Sequence, residues 1–220
     1  GKDAVIISPY VEKWMVKSPA QNDSSQSYYG LGLPLSFIKT LKNNKWSIQS
    51  TLILRVNTES FNQKRVLQTG GQILLTYKAS ENFTYQFGLY ANDELFGLFI
   101  LPRIGIDWII NNRTNLFGLL PGNLNFEYRM SNYFYSGFII RTITNSYADV
   151  KTIYWRINEN QAGVYLDSYL TKNIVLNAEA GHSILRTLTS GSYQQQVPYR
   201  WKANDNFYVK LMLAYRIRLR

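Results

Sequence analysis

Apolar residues recur at every second position along almost the whole chain, and no other feature restricts its fold so strongly. In NDNFYVKLMLAYRIRLR (204–220) one register reads Phe207, Val209, Leu211, Leu213, Tyr215, Ile217 and Leu219. The other reads Tyr208, Lys210, Met212, Ala214, Arg216, Arg218 and Arg220. A period of two sends alternate side chains to opposite faces of a β-strand, so this strand is apolar on one face and largely cationic on the other. WSIQSTLILRVN (46–57) sets Trp46, Ile48, Ser50, Leu52, Leu54 and Val56 against Ser47, Gln49, Thr51, Ile53, Arg55 and Asn57. NFTYQFGLYAN (82–92) sets Phe83, Tyr85, Phe87, Leu89 and Ala91 against Thr84, Gln86, Gly88, Tyr90 and Asn92, and LNFEYRM (124–130) behaves alike. A helix repeats every 3.6 residues, and none of these segments does.

The pattern predicts strands over residues 4–16, 28–40, 46–57, 66–78, 83–92, 97–110, 115–121, 123–130, 133–144, 153–169, 174–186 and 205–219. That is twelve, or ten if NLFGLLPGNLNFEYRM (115–130), divided by Pro121-Gly122, folds at a rim or into the interior. Most of the segments reach the ~9–11 residues that a tilted membrane strand needs. Short connections at 42–45, 80–82, 111–115, 131–132 and 170–173 alternate with longer polar stretches at 17–27, 58–65, 145–151 and 186–205. Turns on one rim and loops on the other describe an all-β, antiparallel, up-and-down transmembrane barrel with short periplasmic turns and longer extracellular loops. The expectation is one domain over 1–220.

A soluble sandwich would also alternate, but it must fill its interior row. Here the glycines fall mainly on the polar row, at Gly30, Gly32, Gly70, Gly88, Gly105, Gly137, Gly163 and Gly181. That row carries charges of both signs, while the large side chains stay on the apolar one. Inward glycines relieve crowding where a closed sheet curves tightly, and mixed charges suit an enclosed wet interior. An aromatic share of 15%, with 17 Tyr and 11 Phe, fits rings at a lipid–water boundary. No apolar run has the ~18 or more residues of a membrane-spanning helix, and mean hydropathy is −0.22. Lys and Arg outnumber Asp and Glu by 24 to 14, but they are scattered, which argues against nucleic acid. The absence of cysteine removes disulfides, thiol catalysis and thiolate metal sites.

The ordered segments PRIGIDW (102–108), LFGLLPGNLNFEY (116–128) and YFYSGFIIR (133–141) resemble the uncharacterised outer-membrane β-barrel proteins common in Bacteroidota. AEAGHSILR (178–186) is similar to the penultimate strand of those proteins, and the resemblance covers most of the chain after residue 28. It implies an outer-membrane location, and because the chain begins Gly1-Lys2-Asp3 without an initiator Met or a hydrophobic signal segment, an exported protein is expected here in its mature form after signal-peptide removal, or trimmed. The resemblance brings no catalytic residues with it.

No catalytic residue, cofactor or metal site is expected from the residues themselves. His182 is the only histidine, and its neighbour Ser183 points to the opposite face of a strand, so a Ser–His pair fails on geometry. AND (91–93) with Glu94 offers oxygens for a calcium loop, but turn chemistry explains those residues equally well. The polar cluster Arg103, Asp107, Glu127, Arg129, Arg141 and Glu179 reads either as a selectivity ring or as a salt-bridged filling, the latter favoured at this barrel size. Phe207, Val209, Leu211, Leu213, Tyr215 and Ile217 are expected to face lipid. Function is then a non-enzymatic structural or accessory subunit of a larger outer-membrane assembly, with a narrow diffusion channel second and a lipid-modifying enzyme third. The expected partners are outer-membrane lipid or lipopolysaccharide and other outer-membrane proteins, with no nucleic acid.

Overall fold

A computed structural model describes residues 3–17, 25–41, 44–62, 66–149, 153–192, 199–202 and 204–215. Every regular element among them is a strand. The first seven are β1 (Ala4–Ile7), β2 (Tyr10–Lys17), β3 (Ser25–Thr40), β4 (Trp46–Thr58), β5 (Leu67–Lys78), β6 (Phe83–Glu94) and β7 (Gly97–Ile109). The rest are β8 (Thr114–Leu120), β9 (Asn123–Arg129), β10 (Phe134–Ala148), β11 (Ile153–Tyr169), β12 (Ile174–Ser192), β13 (Tyr199–Lys202) and β14 (Asn206–Tyr215). Consecutive strands from β3 to β12 pair antiparallel. β1 and β2 lie end to end along β3, and β13 and β14 lie end to end along β12. Fourteen segments therefore occupy twelve positions in one sheet, but the ring that closes has seven strands and not the twelve expected. The hairpin β8–β9 stands in the wall between β7 and β10, which removes the ten-strand alternative.

Side chains make the turns at one rim. Asn111 Oδ1 accepts the N–H groups of Arg113 and Thr114 at 2.9 and 3.0 Å, and Ser131 Oγ accepts those of Tyr133 and Phe134 at 3.1 Å. Thr171 Oγ1 takes the Ile174 N–H at 3.1 Å. Such short side chains mimic a backbone turn and fix its register.

The other rim departs from the expected row of long loops. β6 and β7 are joined by Leu95-Phe96 alone, and β8 and β9 by Pro121-Gly122 alone. The polar stretches 145–151 and 186–205 are not simply loops, since β10 runs to Ala148, β12 runs to Ser192, and β13 returns along it. Polarity misleads there because the wall's inner row is itself polar, so Ser146, Thr189 and Ser190 are buried strand residues.

Closure also differs from a simple first-to-last ring. Ala148 of β10 bridges Thr58 of β4 in parallel, and the Glu59 N–H donates to the Ala148 carbonyl at 2.9 Å. This closes a seven-stranded barrel, β4 to β10, with β1–β3 on one flank and β11–β14 on the other. The physical cause is the shortness of β8–β9, which pairs β10 only over residues 135–141 and frees its upper end to cross inward. Residues on both faces of the crossing ends are buried: Asn57 and Thr58, Ser146, Tyr147 and Ala148, and Tyr154 and Trp155. Among the described residues β2 has β3 as its sole strand partner and β14 has β12.

The inward glycines allow the sheet to coil. A Cβ on Gly137 would collide with the carbonyl oxygen of Phe126 in the neighbouring strand, an atom that moves only with its strand. On outward Gly71 a Cβ would stand 3.0 Å from the Thr51 carbonyl, a contact that a small shift relieves. Gly137→Ala is therefore expected to destabilise by about 1–3 kcal/mol and Gly71→Ala by distinctly less, as measured by denaturant titration.

Candidate functional site

The interior holds two adjoining cavities, the first of them walled by the inner row. One, of about 560 Å³, lies towards the turn rim and is lined by Asp107, Glu127, Arg141, Asp167, Glu179 and Lys210 among others. The second, of about 820 Å³, lies deeper and is bounded by β2, β4, β6, β7, β10 and β14. Arg141, Lys210 and Met212 line both.

Side chains crossing the interior close the far end. The Arg55 guanidinium pairs with Glu94, and its Nε donates to Gln68 Oε1 at 2.6 Å. Glu94 also accepts from Asn92 Nδ2 at 3.0 Å and from Ser146 Oγ at 2.6 Å, while Gln68 Nε2 donates to the Ser146 carbonyl at 3.0 Å. On the other side of β10, Tyr147 Oη donates to Glu12 Oε1 at 3.1 Å. Two apolar clusters fill what remains. Tyr28, Tyr147, Trp155, Ile157 and Leu188 form the first, with Trp14 against it. Leu95, Phe96, Ala148 and Tyr154 form the second, where the Arg156 guanidinium lies 4.1 Å from the Phe96 ring centre. A hairpin turn made of Leu and Phe is explained by this burial, since its tip points into the rim and not into solvent.

The predicted polar cluster is only partly brought together. Arg141 and Glu179 form an ion pair, and Tyr208 Oη donates to the same Glu179 oxygen at 2.6 Å. The Tyr208 ring covers the cross-strand pair Gly163 and Gly181, where a Cβ on either glycine would strike it. Asp107 and Glu127 line the turn-rim cavity with them. Arg103 faces the deeper cavity, hydrogen-bonded to Gln72 and to the Leu119 carbonyl at 3.5 Å. Arg129 lines neither cavity. It ends β9 at the turn rim, where its N–H donates to the Arg113 carbonyl at 2.7 Å.

On the outer face Phe207, Val209, Leu211 and Leu213 are exposed. Tyr215 ends β14 in the same register, and Ile217 lies outside the described residues. His182 lies outward, 5.0 Å from the Phe207 ring, while Ser183 is buried inward. Glu94 is not a calcium-loop residue, since it sits within β6 and is taken up by Arg55, and the described residues hold no cluster of three metal-binding side chains. Sequence reasoning missed the Arg55–Glu94–Ser146 network and the Glu12–Tyr147 bond. Inward placement of Arg55 was legible, but its partner 39 residues away depends on how the barrel closes.

Removing one partner of a buried ion pair leaves the other charge uncompensated, whereas removing both with apolar residues of similar size is close to neutral. Arg55→Met is expected to cost about 3–5 kcal/mol, and Arg55→Met with Glu94→Leu to recover most of that, read from denaturant midpoints.

Neither a curated protein nor a solved structure matches this chain. A family model described as Domain of unknown function (DUF6268) matches residues 16–220, and the chain belongs to that family.

Proposed function

We propose that this chain is a transmembrane β-barrel of the bacterial outer membrane, acting without enzymatic chemistry as a structural or accessory subunit of a larger assembly there. The observation that carries this reading is the inverted polarity of the wall. Arg55, Gln68, Glu94, Glu127, Asp167 and Glu179 are buried inside, while Ile73, Ile100, Ile104, Phe138, Val164 and Leu211 are exposed on its outer face. In water this arrangement would expose an apolar patch far beyond the few hundred Å² that soluble monomers show. In a bilayer it is the expected one. Outward rings also gather near the turn rim: Trp46 meets Tyr77 at 4.5 Å and Phe83 meets Trp108 at 5.8 Å, both pairs tilted, in the manner of an interfacial aromatic girdle. The net charge of +10 favours contact with anionic lipid headgroups, lipopolysaccharide included.

The subunit reading is preferred because the cross-linked and apolar far end leaves no wide path through the barrel. A narrow diffusion channel is the second reading, favoured by the continuity of the two cavities through Arg141, Lys210 and Met212. Purification from native membranes with crosslinking tests the choice directly: a stoichiometric partner protein supports a subunit, and recovery of the chain alone argues against one.

Three further outcomes are expected. Unboiled protein migrates differently from boiled protein in SDS, with a β-type circular dichroism spectrum. In bilayer folding titrations Leu211→Arg costs about 2–4 kcal/mol if the residue lies near the midplane, and Met212→Arg, facing the cavities, costs less. In planar bilayers the parent protein gives small, rare or no steps, whereas Arg103→Ala with Arg141→Ala conducts more and prefers cations, because Asp107, Glu127 and Glu179 remain. Large steady openings in the parent would make it a channel.

A further inference from the structure

We propose that the gap between β2 and β14 is a lateral portal, through which the deeper cavity receives an amphiphile with an anionic head. Its chain lies between the two strand edges and its head among the cations behind them. The proposal goes beyond the subunit reading and rests on the membrane reading for the source of the amphiphile.

The geometry of the cavity lining carries the argument. Tyr10, Glu12 and Trp14 of β2 point inward and line the cavity, yet outward Val11 and Met15 line it as well. On β14 the inward Tyr208 and Lys210 are joined by outward Val209 and Leu211. A cavity bounded by both faces of two strands wraps round their edges, and is therefore open between them. The mouth is apolar and bare: Val11 is 78% exposed, Met15 74%, Val209 78% and Leu211 73%.

Behind the mouth the charge is unbalanced. Arg55, Arg103, Arg141 and Lys210 line the cavity against one carboxylate, Glu12, while Lys13 stands on the outer face of β2 with Val11 and Met15. Glu94 neutralises Arg55 and Glu179 neutralises Arg141, but Arg103 and Lys210 have no ion pair among the described residues. The buried Nε groups of Arg103 and Arg141 lack hydrogen-bond partners. An apolar slot leading to unpaired cations matches a molecule with a hydrocarbon chain and a carboxylate or phosphate head. A volume of about 820 Å³ is in the range of small-molecule sites. Free strand edges at membrane depth are tolerated only where they are buried in protein or line a water-filled cavity, and both of these edges border the cavity.

The test uses the full chain in nanodiscs of unlabelled lipid. In a variant retaining only Trp14 (Trp46, Trp108, Trp155 and Trp201 each→Phe), a brominated fatty acid is expected to quench Trp14 saturably, with the matching brominated fatty alcohol much weaker. Lys210→Gln with Arg103→Gln should raise the half-saturation concentration by about tenfold or more. If the Trp14 variant does not fold, equilibrium binding of a radiolabelled fatty acid to the unmodified chain, with and without those two substitutions, reads the same site. Linear quenching, equal quenching by the alcohol, or full competition by inorganic phosphate would overturn the proposal, the last by showing a site for free anions. So would hydrogen exchange along β2 and β14 as slow as in β6, which would mean that the edges are closed by strand pairing. A second variant retaining only Trp108, exposed on the outer face, is placed in brominated phospholipid to report on the membrane reading. Quenching there with none at Trp14 overturns the portal alone, and no quenching there removes both.

Discussion

The guanidinium of Arg55 lies 8% exposed inside the barrel and meets a carboxylate from a different hairpin, and the closed end of the molecule is arranged around that contact. Two charges withdrawn from water stabilise a fold only when the remaining donors and acceptors are satisfied too. Gln68, Asn92 and Ser146 supply those bonds, and in doing so they tie β4, β5, β6 and β10 to one point. The bridge between Thr58 and Ala148 belongs to the same arrangement: the short β8–β9 frees the end of β10 to cross inward, and that crossing delivers Ser146 to Glu94. Tyr147, the next residue, is thereby turned to the opposite side, where it meets Glu12 and Tyr28. One strand end thus serves two packed compartments.

This construction bears on the proposed role. A barrel whose far end is tied by buried polar bonds and filled by aromatic rings is stiff there, since dense cores and satisfied polar networks each have few alternative arrangements. The turn-rim half is different, with charged side chains around a cavity and room for water. On the membrane reading such a molecule offers a firm outer surface to neighbouring proteins and a polar cup on the side of the short turns.

Much of the wall was legible because alternation is local. Which residues of WSIQSTLILRVN face in and which face out follows from their parity, and so does the opposition of His182 and Ser183. The turns at Asn111, Ser131 and Thr171 carry their own chemistry. What sequence did not show depends on closure. Nothing near Ala148 says that it meets Thr58, and the apolar turn Leu95-Phe96 makes sense only once its burial against Tyr154 is seen. The length of β12 was underestimated because Thr187, Thr189 and Ser190 have the composition of a loop, although in a polar-lined barrel that composition belongs equally to a wall. Arg129 shows the opposite error: parity placed it inside with Glu127, but its position at the end of β9 puts it at the rim.

The two flanking strand positions are each broken, at Ser8-Pro9 on one side and between β13 and β14 on the other. An unbroken outer strand would offer a long row of free N–H and C=O groups on which a second polypeptide could grow a sheet. Pieces of four residues, as in β1 and β13, are too short to template such growth, and Pro9, with no N–H, cannot contribute a donor at the break. Lys13 and Lys210 add charge along the longer pieces, at a spacing that an incoming strand would have to bury. A barrel left open at one seam is in this way protected against aggregating through it.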